Sequence, residues 1–138
     1  MSQHWSAETS QLLQAYSADP VNNYRMEDPS TQWHQENTIC GDDIELFVRI
    51  VDDTVTEISY TGQPSMFTIA AASLLAEMIP WHKIDDILTW TYAQIQERWF
   101  VVSPRRQRSA VSALLAVRNA LHLYLQDGKS DTYEDLLS

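Results

Sequence analysis

The chain has 138 residues, of which 44% are hydrophobic and 20% are charged, a balance typical of one globular domain with its own core. Nineteen Asp and Glu against nine Lys and Arg give a formal charge of −10. This charge argues against binding to nucleic acid or to an anionic membrane surface, because both rely on clustered Lys and Arg. The single cysteine excludes an intrachain disulfide, and the first basic residue is Arg25, so no secretory signal is expected and the predicted location is the cytoplasm.

The N-terminal part, residues 1–36, is predicted to hold one helix and a loop. Three apolar side chains are spaced so that they share one helical face: Leu12, Leu13 and Tyr16. Asp19-Pro20 ends this helix, because the residue before a proline is disfavoured in helical conformation. The following stretch, 21–38, is rich in Asn, Gln, Asp, Ser and Pro, and it is predicted to be a loop over the core.

Two strands joined by a short turn are predicted next. The first contains four apolar residues at every second position: Ile44, Leu46, Val48 and Ile50. Asp52-Asp53 supplies a turn, and the β-branched stretch from Val55 to Thr61 is a second strand that ends at Gly62. A connection this short makes the two strands antiparallel, so they form a hairpin.

The rest of the chain is predicted to be helical. Ser65 is a good N-cap residue for a helix that Pro80 ends. Residues 83–99 are predicted to form one or two further helices, and Ser103-Pro104 begins a long last helix. The apolar side chains of the last helix are Val111, Leu114, Leu115, Val117, Leu121, Tyr124 and Leu125. Gly128 is predicted to be its C-cap, and the acidic tail 129–138 is predicted to be frayed.

These elements predict an α+β fold for a single domain, 1–138, in which helices pack on one face of a small antiparallel sheet of two or three strands. Four aromatic residues of the helical half are spaced as core residues or as an exposed docking surface: Trp81, Trp90, Trp99 and Phe100. The four histidines, which are His4, His34, His82 and His122, are predicted to be surface or capping residues.

One short motif could carry chemistry, Cys40-Gly41-Asp42 at the start of the first predicted strand. A thiolate and a carboxylate separated by a flexible glycine can both turn towards one metal ion. The alternative is a buried cysteine beside a turn, because free cysteines commonly behave as small hydrophobic residues.

The order of these features resembles the IscU/NifU N-terminal family, which are scaffolds for iron–sulfur cluster assembly with a SufE/IscU-like fold. Cys40-Gly41-Asp42 matches the family's first ligand motif, and Tyr60-Thr61-Gly62 with Thr68 to Leu74 is similar to its hairpin end and small-residue helix. Tyr16 followed by Asp19-Pro20 resembles a longer version of an upstream family segment. The resemblance implies a protein that is not an enzyme and that contacts a cysteine desulfurase or another iron–sulfur assembly protein.

Two of the three cysteines that the resemblance implies are replaced in this chain. Ser65 and Ser109 stand at those positions, and Arg108 precedes the second of them. A serine hydroxyl is a hard ligand that stays protonated, whereas clusters and zinc favour thiolates. Only Cys40 and Asp42 remain from the ligand set, so we predict a degenerate metal site without a stable cofactor, in a protein that acts through protein–protein contact.

Other readings of the same residues stay open. Cys40 could accept or carry a sulfur atom, or could bind zinc, iron or a cluster at low occupancy together with Asp42. A cluster of cations at the start of the last helix could bind an anionic group or a partner protein, or could pair with carboxylates such as Asp42 and Asp43: Arg105, Arg106 and Arg108. In that second case Arg108 would take the place of the metal ion beside Asp42. A homodimer is also left open.

Overall fold

The computed structural model describes residues 6–39 and 41–137, so the predictions for Cys40 and for His4 lie outside the described residues. The helices are α1 (Ala7–Ala18), α2 (Met66–Met78), α3 (Ile84–Ile87), α4 (Tyr92–Gln96), α5 (Gln107–Leu125) and α6 (Tyr133–Leu137). The strands are β1 (Thr31–Asn37), β2 (Asp42–Val51), β3 (Thr54–Gly62) and β4 (His82–Lys83). A 3₁₀ turn, Pro104–Arg106, leads into α5.

Within the described residues the strands form one antiparallel sheet in the order β1-β2-β3-β4. This confirms the predicted α+β fold and the β2–β3 hairpin, but the sheet has four strands where two or three were predicted. The alternating residues of β2 enter the core, where they are buried together with the inner faces of α2 and α5. On the opposite face of the sheet Phe47 is buried, and the guanidinium of Arg25 lies 5.3 Å from its ring centre. The helical layer therefore lies on one face, as the sequence predicts.

The predicted loop 21–38 is partly wrong, because its second half is β1. This strand pairs with β2 from Thr31 opposite Val48 to Asn37 opposite Asp42. The hydroxyl of Thr31 also donates to the carbonyl oxygen of Ala120 in α5, at 2.9 Å. The polar sequence of β1 lacks strand periodicity, and its hydrogen bonds come from a neighbouring strand and a helix that only the tertiary structure supplies.

The predicted end of the long helix is displaced by two residues. Gln126, in the left-handed region with φ of 53°, is the C-cap of α5, and Gly128 lies further along with φ of 72°. The tail predicted to be frayed is instead docked, since Tyr133 and Leu136 of α6 are buried. His122, predicted to be a surface or capping residue, is also buried, so the surface alternative is wrong.

The aromatic residues divide between the core and the surface. Phe100 is buried and Trp90 is partly buried, whereas Trp81 and Trp99 are exposed. Tyr124 and Leu125, at the end of α5, are also exposed. None of the helices in the described part of the chain has the length and apolar character that crossing a membrane requires.

Gly62 is expected to tolerate no side chain, because a Cβ atom there would lie 2.4 Å from the carbonyl oxygen of Asp43, and its φ is +120°. We expect Gly62→Ala to lower the free energy of unfolding by more than about 2 kcal/mol, because both strain and a backbone clash result. Urea unfolding followed by circular dichroism measures this loss. Gly128→Ala is the matched control, since its Cβ would meet nothing within 4 Å; an equal loss in both variants would contradict the steric argument.

Candidate functional site

The candidate site is built around the buried carboxylate of Asp42, the first residue of β2. Its Oδ1 accepts a hydrogen bond from the backbone N–H of Ser65 at 2.5 Å, and its Oδ2 accepts one from the hydroxyl of Ser109 at 2.7 Å. The start of β2, the N-terminus of α2 and the first turn of α5 therefore meet at one point. The structure brings together three of the four positions that the sequence predicts as family ligands.

The two helix N-termini are tied to each other as well as to Asp42. The hydroxyl of Ser65 is the predicted N-cap of α2 and accepts from the backbone N–H of Thr68 at 3.4 Å. The hydroxyl of Thr68 in turn donates to the carbonyl oxygen of Ser109 at 3.2 Å. We call Asp42, Ser65, Thr68 and Ser109 the Asp42 cluster; its negative charge lies at the N-terminus of α2, where the helix dipole favours an anion.

The loop between β1 and β2 forms one border of the Asp42 cluster. The backbone N–H of Gly41 donates to the carbonyl oxygen of Asn37 at 2.7 Å and so closes the loop that carries Cys40. Asn37 lies opposite Asp42, and its side-chain nitrogen is buried without a hydrogen-bond partner among the described residues. Ile39 lies in this loop and exposes 73% of its surface. Met66 follows Ser65 of the cluster in sequence and exposes 48%. Two exposed apolar side chains therefore lie close in sequence to the polar Asp42 cluster.

The arginines do not fill the position of a metal ion, and the expectation that Arg108 lies against Asp42 is wrong. The guanidinium of Arg108 pairs with Glu134 at 3.1 Å and lies 4.8 Å from the ring centre of Tyr133, both in α6. Arg106 lies over the ring of Phe67 at 4.7 Å, and Arg105 is exposed. It is the hydroxyl of Ser109, rather than a guanidinium, that meets the Asp42 carboxylate.

Tyr133 borders the same end of the molecule, and nothing in the sequence marked it. Its hydroxyl lies 3.0 Å from the hydroxyl oxygen of Ser112, one helical turn after Ser109, and donates to the carbonyl oxygen of Glu36 at 3.3 Å. Burial raises the pKa of this phenol, so it stays a neutral donor. Tyr133 lies in an acidic tail with no local pattern that predicts burial. The residues that it contacts are on β1 and α5, far away in sequence.

His34 and Asp43 form a hydrogen-bonded pair on the exposed side of the strands next to the cluster. This bond raises the pKa of His34 above its ordinary value. Because the raised value belongs to the folded state, the contact stabilises the fold at low pH, and the contribution is lost as the pH rises through that pKa. Both side chains are about half exposed, so we expect this contact to contribute less than about 1 kcal/mol to the free energy of unfolding.

An NMR titration of the imidazole tests this assignment. We expect Asp43→Asn to lower the pKa of His34, and Glu45→Gln, which removes a weaker electrostatic contribution, to leave most of the increase. A raised pKa that survives in Asp43→Asn would contradict the assignment.

The described residues do not fit a thiolate-bound metal ion or cluster. They offer hydroxyls and one carboxylate, and both oxygens of that carboxylate already accept hydrogen bonds. No group of three or more His, Cys, Asp or Glu side chains within 6–39 and 41–137 is arranged to hold a metal ion. Cys40 lies outside the described residues, so its predicted role stays a prediction.

An antiparallel sheet with helices packed on one face defines a small domain of the α+β class. Comparison with known proteins gives the family. Residues 7–131 match the NifU-like N terminal domain, and the chain belongs to this family.

Individual relatives are distant. The chain is 24% identical over 119 residues to the iron–sulfur cluster assembly scaffold protein IscU 1 of Archaeoglobus fulgidus, an alignment that covers 86% of this chain and 78% of that protein. It is 26% identical over 65 residues to the scaffold protein IscU of Thermotoga maritima, which covers 47% of this chain and only 46% of that protein. The crystal structure of the N-terminal part of a nitrogen-fixing NifU-like protein from Brucella abortus has the same fold, with a TM-score of 0.70 at 12% identity, over 88% of this chain and 97% of that chain.

Proposed function

We propose that this chain works in iron–sulfur cluster assembly through contact with other proteins, and that it does not hold a cluster of its own. Membership of the NifU-like N terminal family supports a role in this process, and the IscU proteins of Archaeoglobus fulgidus and Thermotoga maritima are scaffold proteins of iron–sulfur cluster assembly. The observation that carries the proposal is the carboxylate of Asp42, which accepts hydrogen bonds from Ser65 and Ser109 at the positions where the family resemblance places thiolates.

Hydrogen bonds can compensate the buried negative charge of Asp42 in place of a metal cation. A buried carboxylate needs a compensating partner, and here the two donors and the N-terminus of α2 supply it without a metal ion. A metal ion at this place would compete with both donors for the carboxylate, and the hydroxyls of Ser65 and Ser109 would offer it only hard, weakly binding ligands. The Asp42 cluster therefore favours the metal-free state.

The surface around the cluster suits a protein partner of the assembly pathway, and we propose a cysteine desulfurase or another assembly protein. Ile39 and Met66 give exposed apolar area, and Arg105 gives a positive charge. Exposed apolar side chains with a charged border are typical of protein contact surfaces. This function needs no catalytic residue, and the cytoplasm is the proposed location.

Metal analysis after anaerobic purification tests the proposal directly. We expect iron, zinc and acid-labile sulfide all below about one tenth of an equivalent per chain, since one thiolate is too few for a stable site. A near-stoichiometric metal content that Cys40→Ala abolishes would overturn the proposal. It would favour the alternative in which Cys40 and Asp42 bind zinc, iron or a cluster.

A second candidate function is sulfur acceptance by Cys40. The residues on either side of it in the sequence, Ile39 and Gly41, are exposed, which favours access to this loop. Incubation with a cysteine desulfurase and cysteine should add about 32 Da to the intact mass, the mass of one sulfur atom in a persulfide. The adduct should be lost on reduction and absent from Cys40→Ala; no adduct on the wild-type chain rules this function out.

A further inference from the structure

A surface groove of about 330 Å³ lies between α1 and the turn that follows α4. Four residues of α1 and two of the turn line it, and we call it the Trp99 groove: Glu8, Gln11, Leu12, Ala15, Arg98 and Trp99. The four α1 residues are spaced three or four positions apart, so they lie on one face of the helix. The lining is mainly apolar, and Trp99 exposes 66% of its surface.

The backbone holds Trp99 in a conformation that is unusual for a bulky residue. Its φ of 69° lies in the left-handed region, which glycine adopts without strain. The buried Thr9 of α1 fixes this turn: its hydroxyl donates to the carbonyl oxygen of Trp99 at 2.6 Å and accepts from the backbone N–H of Val101 at 2.8 Å. Backbone strain and an exposed indole both disfavour the isolated chain, which points to an interaction outside the fold.

Two charges of opposite sign border the Trp99 groove, Glu8 on α1 and Arg98 next to Trp99. Both side chains are exposed. Neither forms an ion pair with another side chain within 6–39 and 41–137. One cation and one anion beside the same apolar groove make this surface complementary in charge to a copy of itself, whereas a strongly acidic or basic partner would meet a like charge.

We propose that the Trp99 groove is the contact surface of a symmetric homodimer, and that a second copy of this chain occupies it. A two-fold axis places Glu8 of each copy opposite Arg98 of the other, because the same patch is used on both sides. Trp99 of each copy then packs against Leu12 and Ala15 of the other. This inference goes beyond the proposed function and does not depend on it.

The dimer is expected to be reversible. Each copy has a formal charge of −10, so the two copies repel each other outside the contact. The contact itself consists of one aromatic anchor and one ion pair from each side, which is typical of a small interface. We therefore expect a dissociation constant on the order of 10 µM.

Sedimentation velocity of the full chain between roughly 1 and roughly 200 µM measures the association. The wild type should change from monomer to dimer over this range. Trp99→Ala should raise the dissociation constant at least about tenfold, since it removes the aromatic anchor. Trp81→Ala is the matched control and should associate like the wild type, because Trp81 is also exposed, with φ of 75°, but does not line the groove.

Charge reversal tests the two-fold arrangement. In Glu8→Arg or in Arg98→Glu alone, like charges face each other across the axis, so each variant should stay monomeric over the same range. When the two variants are mixed in equal amounts, the two cations of one chain face the two anions of the other. We expect a complex with one copy of each variant and a dissociation constant within about threefold of the wild-type value.

A wild type that stays monomeric over the whole range would overturn the proposal, and so would undiminished association of Trp99→Ala. If the mixed charge variants do not associate, Glu8 and Arg98 do not face each other and the two-fold arrangement is wrong. A monomeric wild type whose binding to a cysteine desulfurase is lost in Trp99→Ala would assign the groove to a different protein. Circular dichroism checks folding, and if Trp99→Ala is unfolded, the charge variants at exposed positions still decide the question.

Discussion

The double variant Ser65→Cys/Ser109→Cys is expected to bind about one zinc ion per chain, whereas the wild type is expected to bind almost none. The Asp42 carboxylate already touches the N-cap of α2 and the hydroxyl of Ser109, so two new thiolates would lie beside Asp42. The family resemblance implies Cys40 as the fourth ligand. Four ligands with three thiolates are sufficient for a tetrahedral zinc site. Metal analysis after dialysis against a weak chelator measures the gain.

The control for this gain of function is Ser65→Cys/Ser112→Cys. Ser112 is also buried in α5, but its hydroxyl contacts the carbonyl oxygen of Arg108 and the hydroxyl of Tyr133 instead of Asp42. We expect this pair to bind no more zinc than the wild type. If both double variants fold and take up equal amounts of zinc, the three positions do not form a specific ligand set, and the account of a degenerate site fails.

Asp42→Ala is expected to be the most destabilising change in the site, with a loss of about 3 kcal/mol in the free energy of unfolding. The variant leaves the backbone N–H of Ser65 and the buried hydroxyl of Ser109 without an acceptor and removes the negative charge from the N-terminus of α2. For a chain of this length the melting temperature should fall by roughly 10 °C. Differential scanning calorimetry measures the change.

Asp43→Ala is the neighbouring control. Its carboxylate is about half exposed and contacts His34, so Asp43→Ala should lower the free energy of unfolding by less than about 1 kcal/mol. An Asp42→Ala protein as stable as Asp43→Ala would show that the carboxylate does not hold the ends of β2, α2 and α5 together. The proposed function would then lose the observation on which it depends.

Part of the candidate site could be predicted from the types of residue in the sequence. Ser65 could be recognised as an N-cap because Pro64 precedes it and a small-residue helix follows, and the structure confirms that cap. The pairing of Arg108 could not be predicted, because its partners Glu134 and Tyr133 lie in a tail whose composition suggests disorder. Asn37 was missed for a similar reason, since a polar residue at the end of a polar strand gives no signal of burial.

The amino-acid sequence by itself determined the hairpin, the N-cap of α2 and the buried faces of α2 and α5, because these depend on periodicity and on the local preferences of Ser and Pro. The tertiary structure alone decided that 31–37 is a strand, that Asp42 joins two helix N-termini, and that the tail is docked rather than frayed. Each of these features arises from hydrogen bonds between residues far apart in the chain. Such bonds stabilise polar segments that no local pattern distinguishes from a loop.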